Sequence, residues 1–333
     1  MATTIIPGLD SDAAYQCLLR VSLSSHGQMR KMSRAWRDLV SSAKFYDDRA
    51  AQGLDEEWLV ATVILRQEDE LLIMTFNPSS SKKAWMVLPP PPRGFYATGG
   101  FDCRALGSKL YLLGLGQGKS LSVFDSHTNR WSTAAPMLCP RFFYASAAME
   151  GQLYVVGGNR ERQEQDAETY NPLEDRWYPL PPLPPHGTMA FRNALVVDGY
   201  KMVILRAGNG ETLVFSAQDH SWEVADMTRL RGCCCIVHGN RIYDANTLQR
   251  YDSGNNSWEA LQLTNASSSD SKSVFRGVSC QKNIWAVKED CKVVKVIQVP
   301  NDGSLEAKVM AVYELNVPFS NLHLIFDLEV LRA

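Results

Sequence analysis

The residues best able to hold a metal or act as nucleophiles are six histidines and eight cysteines. The histidines, at 26, 127, 186, 220, 238 and 323, include no i,i+4 pair, and only His238 stands near cysteines, the run Cys233–Cys234–Cys235. Consecutive cysteines suit neither a zinc knuckle nor a disulfide framework, and Cys-x-x-Cys is absent from the sequence. They read as small apolar residues of a buried strand. GLGQGKS, residues 114–120, ends like a phosphate loop. That motif needs glycine where Leu113 stands, and the following LSVFD is a strand, not the helix whose N-terminus would hold phosphate. One cationic series remains: Arg93, Arg141, Arg192, Arg231 and Arg276, each ahead of a short apolar run. A ring of guanidinium groups there would bind carboxylates or an acidic peptide. The residues therefore point to recognition, with no catalytic set, cofactor or metal expected.

Bulk properties narrow the partners. The chain has 333 residues, 45% hydrophobic and 21% charged, with a formal net charge of −2. Near neutrality gives no phosphate-seeking surface, so nucleic acid is not expected. No run of about 18 apolar residues offers a membrane span. MATTIIPGLDSDAAYQ has no basic segment followed by an apolar one, so no secretory signal is read and a cytoplasmic or nuclear location is expected. The serine-rich TNASSSDSKS from Thr264 reads as a flexible connection.

The elements that position these residues come from a repeat. Phe124 precedes Trp131 by seven, as do Tyr170 and Trp177, Phe215 and Trp222, and Tyr251 and Trp258. Phe76 and Trp85 form a looser copy. The tryptophans at 85, 131, 177, 222 and 258 are 46, 46, 45 and 36 residues apart. A period in the forties is an array signal. Each copy holds a strand, a Gly- or Asn-containing turn, a strand (GSKLYLLG, GQLYVVGG), a third strand ending in Phe or Tyr, a polar turn and a fourth strand opening at Trp. The paired rings then fill the wedge between neighbouring sheets. Prolines such as LPPLPP after Trp177 suit an outer strand leaving for the next unit.

Four-stranded units of this period are propeller blades. The order strand, Gly turn, strand, Gly-Gly, Tyr or Phe, turn, Trp resembles the kelch repeat, best at Gly151, Tyr154, Gly157–Gly158, Tyr170 and Trp177. Residues 57–333 then form a mainly β, six-bladed kelch β-propeller. The apolar NLHLIFDLEVL at the C-terminus completes the first blade, which lacks a strand before Trp58. In some kelch propellers, arginines of the register named above line a ligand pocket, so the resemblance marks Arg93, Arg141, Arg192, Arg231 and Arg276 for substrate binding. Kelch copper oxidases need a Tyr/Cys/His copper set and usually secretion, and the sequence has neither.

Residues 1–50 have no strand pattern. Asp10 or Ser11 caps a helix whose apolar positions are Ala13, Ala14, Cys17, Leu18 and Val21. Met29, Met32, Trp36, Leu39 and Val40 repeat the spacing, giving two or three short helices. So small a unit is marginal alone, and a partner covering one face would stabilise it. Ile6-Pro7, Leu9, Cys17-Leu18, Val21, Ser33-Arg34-Ala35-Trp36, Leu39-Val40 and Phe45 resemble an F-box. F-box followed by kelch repeats is a plant arrangement, and this layout is most similar to the group that recognises phenylalanine ammonia-lyase or type-B response regulators. The resemblance implies a substrate receptor of an SCF ubiquitin ligase. Pro7, Leu9, Leu18, Val21, Trp36 and Leu39 would meet an SKP1-like protein, and through it cullin-1 and the RING subunit. The alternative is a kelch scaffold with a degenerate F-box, not coupled to ubiquitination.

Overall fold

A computed structural model describes residues 5–65, 71–92, 101–114, 118–158, 166–184, 191–206, 212–225, 227, 230, 234–264, 275–288, 290–300, 304–315 and 322–332. The chain begins with four helices among the described residues: α1 (Ser11–Leu19), α2 (Leu23–Met32), α3 (Arg34–Leu39) and α4 (Ala43–Ala51). The second apolar stretch is two helices, not one, because Ser33 is extended (φ −157°, ψ 164°) and its side chain caps α3 by accepting from the Trp36 N–H. Asp10 caps α1 as anticipated, its carboxylate accepting from the Ala13 N–H at 2.8 Å.

Among the described residues after 56, the regular elements are strands. The strands are β1 (Glu57–Leu65), β2 (Leu71–Phe76) and β3 (Trp85–Val87), then β4 (Asp102–Leu106), β5 (Lys109–Gly114), β6 (Ser120–Asp125) and β7 (Arg130–Ala134). β8 (Ala145–Met149), β9 (Gln152–Val156), β10 (Ala167–Asn171) and β11 (Arg176–Pro179) follow, with β12 (Phe191–Val197), β13 (Lys201–Arg206), β14 (Thr212–Ser216) and β15 (Ser221–Ala225) after them. Next come β16 (Cys235–His238), β17 (Arg241–Asp244), β18 (Gln249–Asp252), β19 (Ser257–Ala260), β20 (Gln262–Thr264), β21 (Phe275–Cys280), β22 (Asn283–Lys288), β23 (Val293–Gln298), β24 (Glu306–Glu314) and β25 (Leu322–Arg332). They form six sheets, antiparallel but for one outer strand, the blades of a six-bladed β-propeller. The first blade is β25-β1-β2-β3, so the last strand closes the ring as the unpaired C-terminal run foretold. The sixth differs from the simple repeat: β20 adds to it as a parallel outer strand on β24.

The seven-residue spacing has a backbone cause. Each ring pair is directly opposed across two strands: Phe124 and Trp131, Tyr170 and Trp177, Phe215 and Trp222, Tyr251 and Trp258. The residue two before each Trp is left-handed: Asn129 (φ 57°), Asp175 (48°), His220 (52°) and Asn256 (47°). Asn, Asp and His tolerate that region best among side-chain-bearing residues. In three of these turns the residue after the Phe or Tyr folds its side chain onto the loop: Asp125 accepts from the His127 N–H, Asn171 from Leu173 and Asp252 from Gly254. The ring centroids lie 5.3, 5.2, 4.7 and 5.3 Å apart.

The core is a set of wedges rather than one centre. Each apolar cluster of the propeller joins two consecutive blades, as Tyr111 and Leu113 of the second blade do with Tyr170 and Trp177 of the third. In four of the blades a tryptophan also fastens the blade to its predecessor. Trp131 Nε1 donates to the Pro89 carbonyl (2.8 Å), Trp177 to Ala135 (2.8 Å) and Trp222 to Pro181 (2.9 Å). Trp85 donates to Cys291 (3.0 Å), which carries the same bond across the closure from the sixth blade to the first. Gly158 (φ +75°) lets the incoming linker pass: a Cβ there would lie 2.7 Å from the Phe142 carbonyl oxygen.

Trp177→Phe keeps the ring pair but strands the Ala135 carbonyl. It is expected to lower unfolding free energy by about 1–2 kcal/mol, against about 3–5 kcal/mol for Trp177→Ala. Urea midpoints of the two variants check the division; equal losses would remove the hydrogen bond from the account.

Candidate functional site

Two surfaces can meet partners: the helical head and the end of the central channel. The head has its own core of Leu18, Leu19, Met29, Val40, Phe45 and Tyr46. Arg49, 2% exposed, ties the chain around it. Its guanidinium donates to the carbonyls of Leu19, Val21 (2.8 Å) and Leu54 (2.9 Å), which satisfies the exposed end of α1. His26 is buried between Tyr46 and the Val21 carbonyl. Burial pulls its pKa down to about 4, against a weaker opposing pull from the Val21 hydrogen bond, so the ring is neutral at ordinary pH.

Of the residues expected to meet an SKP1-like protein, Pro7 and Leu9 are exposed, Leu9 over 41% of its surface. Val21, Trp36 and Leu39 are half-buried against the head's core, and Trp36 Nε1 donates to the Ile5 carbonyl at 2.8 Å. Leu18 is a correction. It is 2% exposed, because the α1 face that carries it turns onto Phe45 and Met29. Met32, 70% exposed at the end of α2, joins Pro7 and Leu9 as an apolar side chain open to solvent.

One carboxylate gathers most of the bonds that join the head to the propeller. Glu56 accepts from the Leu23 N–H (2.7 Å), Ser22 Oγ (3.0 Å), Trp58 Nε1 (3.0 Å) and Asn77 Nδ2 (2.8 Å), and it pairs with Arg49 (3.3 Å). A second contact stacks Tyr46 of α4 on His127, in the β6–β7 turn, at 3.4 Å and 3°. Antiparallel order sets the direction. The head enters at β1, on the same end as the turns joining first to second and third to fourth strands. The opposite end carries the residues that begin the innermost strands.

The innermost strands of all six blades line a central cavity of about 710 Å³ that runs along the channel. Arg104 of β4 organises its wall, bonding Asp327 (2.5 Å), Glu329 (2.8 Å), Asp102 (2.9 Å) and the Ser146 carbonyl (3.0 Å). Ser146 Oγ donates to Asp102 at 2.5 Å. One cation thus joins the closing strand to the second and third blades, and faces three carboxylates. Burial raises Asp102 well above the carboxylate range, and Asp327 adds to the rise while Arg104 opposes it. Burial, reinforced by Asp327, lifts Glu329 to about 7. Phe143, 65% exposed, stands at this rim just before β8 with φ 56°. An aromatic side chain held there in the left-handed region is a strained feature of the kind that gathers at binding sites.

Of the arginine series, two side chains are described, and they differ. Arg141 has 0% exposure and is consumed in an ion pair with Glu168 (2.6 Å) and hydrogen bonds to the Gly157 (2.7 Å) and Asp166 (3.0 Å) carbonyls. It is a strut between the linker and β10, which corrects its expected role as a substrate contact. Arg276 does line the cavity, from within β21 rather than ahead of it. Arg192 falls inside β12, and its side chain lies outside the described residues, as do Arg93, Arg231 and the serine-rich segment 265–274. Arg104, Asp102, Asp327 and Glu329 were missed. Their signal is the alternation Asp-x-Arg and Asp-x-Glu, which puts each pair on one side of a strand.

A kelch motif matches residues 140–184, the third blade with its flanking linkers. The chain's homologues are F-box/kelch-repeat proteins of Arabidopsis thaliana. One is 27% identical over 244 residues, covering 67% of this chain and 62% of the relative. F-box/kelch-repeat protein SKIP4 is 26% identical over 314 residues, 89% of this chain and 85% of the relative. A third F-box/kelch-repeat protein is 30% identical over 244 residues, 60% of this chain and 51% of the relative. The chain therefore spans about three fifths of the first relative's length. The N-terminal helices fit an F-box.

Glu329 gives a pH test. Its folded pKa, about 7, stands above the free value of 4.5, so the folded state holds the proton more tightly. Its contribution to stability is full below pH 4.5 and is lost as pH rises through 7. Glu329→Gln is expected to be about 1–2 kcal/mol more stable than the parent at pH 8 and no more stable at pH 4.5. Thermal unfolding at the two pH values decides it; a pH-independent difference would refute the assignment.

Proposed function

We propose that this chain is the substrate-recognition subunit of an SCF ubiquitin ligase. The helical head docks on an SKP1-like protein, which brings cullin-1 and the RING subunit. The propeller holds a protein to be ubiquitinated and degraded. The chain itself breaks no bond; tethering raises the local concentration of substrate lysines beside the ubiquitin-charged enzyme. It would act in the cytoplasm or nucleus.

The observation that carries this reading is the separation of the two surfaces. Pro7, Leu9 and Met32 leave apolar side chains open on the head, while Phe143 stands exposed at the cavity's rim, ahead of β8 on the other end of the propeller. Both can be occupied at once, as a bridging receptor requires. The fixed junction at Glu56 sets the distance between them. The names of the relatives support the same reading. The N-terminal resemblance makes phenylalanine ammonia-lyase and a type-B response regulator the first substrates to test.

A second reading, a kelch scaffold no longer coupled to ubiquitination, draws on the inward turn of Leu18 and the half-burial of Val21, Trp36 and Leu39. Those residues leave the head less apolar surface than the sequence promised. Co-purification separates the two readings. Leu9→Glu and Met32→Glu change exposed side chains and spare the head's core. Together they are expected to weaken capture of an SKP1-like protein at least thirtyfold, about 2 kcal/mol, with the propeller's unfolding unchanged. Capture absent in the parent chain would favour the scaffold; capture unaltered in the double variant would place the SKP1 contact on other residues of the head.

A further inference from the structure

The wedge between the first two blades opens, beneath the head, into a cleft of about 180 Å³. Its deep wall is apolar, formed by Trp58 and Phe124, 5% and 1% exposed. Leu23 and Arg30 of α2 cover it, and it reaches solvent past Met86, 40% exposed. The cleft exists only because the head is docked: one wall belongs to α2, the other to the propeller.

Thr75 makes the cleft more than a packing gap. It sits in β2 between its partners Val60 and Met86, lines the cleft and is 1% exposed. Its Oγ1 is buried and has no hydrogen-bond partner. A hydroxyl so placed disfavours the folded state, and a valine of the same shape would remove the penalty. The hydroxyl is accounted for if a ligand supplies the missing partner. Arg30 gives the charge. It is the one charged side chain among the described residues lining the cleft, and it is held in place by bonds from Nη2 to the Val40 carbonyl and the Tyr46 hydroxyl, each 3.3 Å.

We propose that this cleft binds a small organic acid with an apolar body. The ring or chain lies against Trp58 and Phe124, one carboxylate oxygen accepts from Thr75 Oγ1, and the negative charge faces Arg30. The volume fits a single aromatic ring, since a dry apolar cavity of about 150 Å³ takes benzene. Because the walls come from both head and propeller, bound acid favours the docked arrangement over any other, and by linkage the docked arrangement favours the acid. The binding does not depend on the ubiquitin-ligase reading.

Phenylacetate is the probe, with phenylacetamide as its neutral counterpart, titrated into the full chain by calorimetry and followed by ligand-observed NMR. The acid is expected to bind saturably below millimolar concentration, at least tenfold more tightly than the amide. Thr75→Val should weaken it about tenfold while leaving the melting temperature equal or higher, which shows the fold intact. Arg30→Gln should erase the preference for acid over amide. No saturable binding of phenylacetate, equal affinity for acid and amide, or undiminished affinity in Thr75→Val would each overturn the proposal.

Discussion

The structure rests on the pairing of β25 with β1, which turns a row of sheets into a ring. Registers run from Glu57 opposite Arg332 to Leu65 opposite Leu322. Arg332 Nη2 also pairs with Glu57 at 2.8 Å. Without this strand the first blade would lack its innermost member, and the channel would lose one of its six walls. The wedge packing fails with it, because each blade buries its faces only between two neighbours. Bringing such distant segments together costs chain entropy. The Trp85 bond to Cys291 and the Arg104 cluster both sit at this closure and offset part of that cost.

The same bond carries the order of the ring. In the second, third and fourth blades the tryptophan of the outer strand reaches back to the linker from the blade before it, so these units are complete only with their predecessors. The left-handed residue two positions earlier aims the indole. Asp175 extends the idea, its carboxylate accepting from both the Tyr170 hydroxyl and the Ala135 N–H of the preceding linker. Glu56 does for the head what these tryptophans do for the blades. A single half-buried carboxylate gathers donors from the α1–α2 connection, α4, β1 and the end of β2.

The periodic parts of this molecule were legible because they repeat. The Phe/Tyr-to-Trp spacing is set by one turn geometry used four times, so the blades, the ring pairs and the closing strand could be read from residue types alone. The helical capping at Asp10 was legible for the same local reason. What could not be read depends on partners far along the chain. Arg141 looks like a free cation until Glu168 and the Gly157 carbonyl surround it. Leu18 looks like a docking residue until α4 folds across it. The second helical stretch has unbroken apolar spacing, yet Ser33 divides it, since a capping side chain outweighs periodicity over so short a run. The Arg104 cluster joins residues 102, 104, 146, 327 and 329, and only the register at the closure places them together.

The late position of the closing strand also orders the protein's manufacture. Glu57 emerges from the ribosome 275 residues ahead of the Arg332 that pairs with it. During that interval the helical head can fold on its own core, while the first blade waits with a bare inner edge. Nascent chains thus carry the head's apolar side chains before the central cavity has its last wall. Chaperones that shield unpaired strands have a defined moment, and a defined edge, at which to act.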